Sequence, residues 1–300
     1  MTRRRIAITA MLLLFAFSLD AQITQQTLIQ PTPQTAQHLT KVLEEYREKK
    51  DARGEALTLL QLGIAEAGLG NVSGARSHLA DAAGKMRAQN DPLGAWFALI
   101  TLSQIESALS RPTEAIAHVE KALAVLNEAK VSTTPFSVKT LLAFGSVSGF
   151  PPEMLQMFDD PGAGKLRSMM IQFSCEPMTH DQYGSLLTQA GQLEKAETEL
   201  KAAAAGAIYS QGMYDFSIES HFGDLFFRKQ QYDDARAHYM KALNASSKTS
   251  SMLPTGGEQL ITAGIYERLA RLETTTGHPE EAKRWSEKMR ALGRKRTDSR

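Results

Sequence analysis

The chain has little of what marks most function classes. Its 300 residues contain a single cysteine, Cys175, so neither an intrachain disulfide nor a thiolate metal cluster can form. Thirty-four Lys and Arg against 33 Asp and Glu leave a formal net charge of +1, which gives no bulk attraction to nucleic acid or anionic lipid. Hydrophobic residues, alanine among them, make up 42%, slightly below the usual globular share. The longest uncharged apolar run, Ile6 to Leu19, falls short of the ~20 residues that cross a bilayer as a helix.

That run follows Thr2-Arg3-Arg4-Arg5 and precedes Ala21. A basic start, a short apolar core and a small residue predict a secretory signal peptide over residues 1–21, with an uncleaved anchor as the alternative. Leu19 makes the cleavage site imperfect, and no cysteine follows to take a lipid. An exported protein, periplasmic or extracellular in a bacterium, is expected, with no stable membrane anchor after cleavage. Residues 22–34, rich in Gln, Thr and Pro, read as a flexible leader.

What the chain has in abundance is repetition. Gly54 to Ala83 carries apolar residues at helical spacing, breaks at Gly68-Leu69-Gly70-Asn71, and resumes. That is a pair of amphipathic helices joined by a tight turn. The first copy places Leu59, Leu62, Gly63, Glu66, Ala75, Leu79 and Ala82; the second, from Trp96, places Leu99, Leu102, Ser103, Glu106, Ala115, Val119 and Ala122. The joints before them, Asp51-Ala-Arg-Gly54 and Asp91-Pro-Leu-Gly94, also match. A third copy has Tyr183, Gly184, Leu187, Gly191, Ala196, Leu200 and Ala203. A fourth has Glu219, Phe222, Gly223, Phe226, Tyr232, Ala235, Tyr239 and Ala242. A fifth has Tyr266, Leu269, Ala270, Glu273, Gly277, Ala282 and Met289. Pro33 to Lys50 reads as one capping helix. The interval from Ala115 to Ala196 leaves room for a degenerate copy, broken by prolines and glycines between Gly149 and Gly164, so residues 131–176 are expected to be irregular. Residues 293–300 form a basic tail.

These offsets resemble the tetratricopeptide repeat family, in its long, roughly 40-residue variety. Glu66 stands where that family has an aromatic. The resemblance covers most of residues 35–292 and implies an all-α, right-handed superhelical solenoid of about six antiparallel helix pairs. It further implies a concave groove, lined by the first helix of each pair, that binds a peptide or protein segment. Matching positions are Leu57, Leu60 and Ile64 in the first copy and Phe97, Ile100 and Gln104 in the second. They are Asp181 and Ser185 in the third, and Asp224, Phe227 and Arg228 in the fourth. The early groove is thus apolar and the later one polar, and the Lys/Asn/Arg clamp of chaperone-tail binders is missing.

No catalytic residue, metal site or cofactor is expected. His38, His78, His118 and His238 share one repeat phase, but successive packed helices lie about 8–10 Å apart, too far for one ion to gather their rings. Asp159 to Lys165 lacks the first glycine and the hydroxyl residue of a phosphate loop. Cys175, His180 and Asp181 are close in sequence without the spacing of a triad, and Cys175 reads as a small buried hydrophobe. The expected role is non-enzymatic, a scaffold for a protein or peptide partner and not for nucleic acid. The alternative is a recognition subunit whose effector enzyme is a separate chain.

Overall fold

A computed structural model describes residues 32–131, 168, 171–207, 215–249 and 257–297. The expected signal peptide, most of the leader and nearly all of the irregular segment lie outside the described residues. Within them the chain is helical apart from turns, with no strand. It divides into two compact units, residues 1–179 and 180–300.

The first unit holds α1 (Pro33–Glu48), α2 (Ala52–Gly68), α3 (Val72–Ala88), α4 (Pro92–Ala108) and α5 (Pro112–Val131), then a single π turn, Ile171–Cys175, that runs into α6 (Glu176–Gln189). Each of α1 to α5 packs on the next, and α2 also touches α4, so the first helices of the two pairs form a layer. The second unit contains the remainder of α6, α7 (Leu193–Gly206), α8 (Asp215–Arg228), α9 (Tyr232–Thr249), α10 (Gly257–Thr275) and α11 (Pro279–Thr297). Here α7 to α11 pack in sequence and α8 touches α10.

The helices start where short polar side chains can take up orphan amides. Thr32 caps α1 through a reciprocal box with Thr35, ahead of Pro33. The Asp51 side chain accepts from Arg53 N and Gly54 N, and Asp91 from Gly94 N at 3.0 Å. Asn71 accepts from Gly74 N at 3.2 Å. Among the described residues seven turns contain one residue with positive φ: Gly70, Gly191 and Gly277, but also Lys50, Asn90, Ser110 and Gln230. The turn geometry therefore recurs even where the residue best suited to it is absent.

One buried seam repeats through both units. Ala75, Ala115, Ala196 and Ala235 are fully buried, as are Leu79, Val119, Leu200 and Tyr239 four residues on. Opposite Leu79, Leu200 and Tyr239 stands a glycine. A Cβ on Gly63 would lie 2.6 Å from Leu79 Cγ, on Gly184 2.6 Å from Leu200 Cγ, and on Gly223 2.3 Å from the Tyr239 ring. Close approach of the two helices of a pair is thus what those glycines permit.

Candidate partner-binding face of the first helices

In the first unit the layering of α2 on α4 decides which expected groove residues stay open. Leu57 and Ile64 on α2, and Phe97 and Gln104 on α4, are half-buried. Leu60 and Ile100 are only 2% exposed and belong to the core. Each lies three residues on from Leu57 or Phe97, on a different face of its helix. Gln61 joins the open stripe. At the ends of these helices Leu69 and Leu109, at the same repeat phase, are each 38% exposed.

Phe97 is held by its neighbour. Trp96 is drawn into the core, and its Nε1 donates to Thr179 Oγ1 at 2.9 Å. Thr179 in turn donates to the carbonyl of Cys175 at 2.6 Å. With the indole locked inward, the adjacent phenyl ring sits at the rim, its centroid 6.3 Å from that of Trp96.

In the second unit the expected polar positions of the first-helix face are largely engaged with one another. Asp181 is buried, accepts from Ser217 Oγ at 2.6 Å, and lies 2.7 Å from His221 Nδ1. Asp224 accepts from Tyr239 Oη at 2.8 Å, Arg268 Nε at 2.9 Å and Arg271 Nη2 at 2.9 Å. Burial alone would raise the Asp224 carboxyl, but the Arg268 charge, with His221 and the hydrogen bonds, holds it below the usual carboxylate range. Burial and the neighbouring carboxylate push the Tyr239 phenol up, so it stays a donor. Arg271 also stacks over Phe227 at 4.8 Å, and Phe227 meets Tyr232 edge-on at 5.7 Å. Ser185 is half-buried and Arg228 exposed.

Sequence reasoning found both aspartates and missed Arg268, Arg271, His221 and Ser217. Arg271 occupies the phase of Asp224 in the next copy, the one signal that could have found it.

The histidine phase resolves into carboxylate pairs within helix pairs. His78 Nδ1 lies 2.6 Å from Glu66 Oε2 and His238 Nδ1 2.6 Å from Glu219 Oε2. In the third copy the partners are exchanged, with His180 on α6 and Glu199 on α7 at 2.6 Å. His38 is exposed, and the buried Nδ1 of His118 has no hydrogen-bond partner. Among the described residues no group of His, Cys, Asp and Glu is arranged to hold a metal. Cys175 is fully buried, and burial pushes its thiol well above the usual range.

The arrangement defines a class, an all-helical array of consecutively packed helix pairs. No known family model matches the sequence, and no curated protein matches it. Among solved structures, the crystal structure of BtubC (BKLC) from P. vanneervenii is similar, at 12% identity over 87% of this chain and 91% of that one, with a TM-score of 0.56. At that identity the likeness concerns the fold alone.

Proposed function

We propose that the protein is an exported, non-enzymatic scaffold that binds a segment of a partner protein along its first helices. In this reading the helix pairs wind as a right-handed superhelix of the tetratricopeptide type, and the basic start and apolar run of residues 2–19 direct export to the periplasm or beyond. The observation that carries it is the stripe on α2 and α4. Leu57, Ile64 and Phe97 remain half-exposed side by side on touching helices. Apolar side chains placed so are the anchors an amphipathic helix or an extended segment buries. In the second unit most of the equivalent polar groups already answer one another, so contact energy is expected to come mainly from the apolar stripe.

Capture from an envelope extract tests this. The wild-type chain retains a protein, and Phe97→Glu retains at least about tenfold less of it with unchanged helical circular dichroism. Identical retention by both chains sinks the proposal. Turnover of a generic hydrolase substrate that disappears with Cys175→Ala overturns the non-enzymatic part.

A further inference from the structure

The near-neutral charge of the chain conceals an uneven distribution. Along α11 seven basic residues, from Lys283 to Arg296, stand against the three acids Glu280, Glu281 and Glu287, a net charge of +4. The whole chain carries +1, so everything else sums to −3. Helix-dipole compensation accounts for basic residues in the last turn only; Lys283 and Arg284 lie in the first half of α11. One side of this helix packs, with Ala282 buried and Trp285, Met289 and Leu292 half-buried. The other side is exposed and carries Lys283, Arg284, Lys288 and Arg290 beside Glu280, Glu281 and Glu287, with Arg284 paired to Glu281 at 2.5 Å.

Beside the basic side sits an aromatic pair that is not closed off. Trp285 stacks on Tyr266 of α10 at 5.5 Å, and Lys288 Nζ lies 4.1 Å from the Trp285 ring. Both rings are half-buried. Tryptophan and tyrosine with one wet edge, next to lysine and arginine, suit the headgroup level of a bilayer. We infer that α11 docks, reversibly and by its exposed basic side, on a surface of anionic phospholipid. The helix lies on that surface and does not enter it, since no described helix is long and apolar enough to cross a membrane. A nucleic-acid duplex would use the basic residues and leave the aromatic pair without a role.

The test is co-sedimentation of the full chain with phosphatidylcholine vesicles, either pure or containing one-third phosphatidylglycerol. The anionic vesicles are expected to take up at least about tenfold more protein, an excess that disappears in high salt. Residues 2–19 also carry basic and apolar side chains, so the decisive comparison is between chains that share them. Lys283→Glu/Arg290→Glu abolishes the anionic excess, and the neutral Lys283→Gln/Arg290→Gln leaves an intermediate excess. Should the charge reversal fail to fold, the neutral pair still reads the outcome. Trp96 is already buried and hydrogen-bonded, so a blue shift of tryptophan emission on vesicle binding reports Trp285 and is lost in Trp285→Phe. Equal uptake by wild type and both variants overturns the inference, as does tighter binding to a DNA duplex than to the anionic vesicles.

Discussion

At the scale of single residues, the fold depends on pairing a missing side chain with a large one. Gly63 faces Leu79, Gly184 faces Leu200 and Gly223 faces Tyr239, each so closely that a Cβ would collide. The second copy solves the same contact differently. It puts Ser103, fully buried, where the first, third and fourth copies have glycine, and Val119 at the facing phase. A bulkier residue on one side thus goes with a shorter one on the other, as a close-packed interior requires. Gly63→Ser is therefore expected to destabilise the first unit by about 1–3 kcal/mol through overpacking. Adding Leu79→Val should recover part of that loss, with a coupling of about 0.5–3 kcal/mol in a double-mutant cycle read by urea denaturation. Strictly additive effects would show that the two positions do not compensate. The need for a small residue at Gly63 is legible from the repeat alone. That serine can serve at position 103 is not, because it depends on the size of a residue sixteen positions later.

Between elements, some of the bonds that join one helix pair to the next come from residues that depart from the repeat pattern. Glu66, Glu106 and Glu273 stand at one phase, where an aromatic is expected. The last two reach across: Arg76 Nε on α3 donates to Glu106 of α4 at 2.5 Å, and Arg236 on α9 holds Glu273 of α10 with two bonds of 2.8 Å. Glu106 is fully buried, with the Arg111 guanidinium 3.6 Å from its second oxygen. Arg76→Leu would leave that carboxylate without its main partner, at an expected cost of about 3–5 kcal/mol, whereas Arg76→Leu/Glu106→Leu should come within about 1 kcal/mol of wild type. Thermal melts of the two variants check this, and equal losses would refute it. Element order and joints were readable here, since Asp51, Asp91, Pro33 and the Gly70-Asn71 turn are local signals. Burial of Leu60 and Ile100 was not, because it depends on which neighbouring element covers that face of the helix. Nor was the answering of Asp224 by Arg268 and Arg271, since partners 44 and 47 residues apart leave no trace in helical periodicity.

Across the whole molecule, the carboxylates held by cations set the response to acid. Lys201 and Lys229 lower Glu197 to about 2 by hydrogen bonding, with a smaller opposing effect of burial. Arg236 lowers Glu273, and Asp224 is lowered despite its burial. A carboxyl whose folded pKa is depressed stabilises fully above its unfolded value and loses that contribution as pH falls through the folded one. Stability is thus expected to hold above pH of about 4.5 and to decline toward about 2. Asp215, raised by burial and by Glu219, runs the other way. Lys229→Met should lessen the decline by up to about 1 kcal/mol, modest because Glu197 is one-quarter exposed. Melting temperature against pH for both chains measures the difference, and parallel curves would remove Lys229 as a cause.

The two joints of the first unit carry a consequence for how such a chain changes over generations. Lys50-Asp51 and Asn90-Asp91 are built alike, a left-handed residue and then an aspartate that caps the helix beyond it. A gene that loses the forty codons from one joint to the other splices cap onto cap and keeps every remaining helix in frame, so length becomes a heritable variable set by recombination in whole pairs.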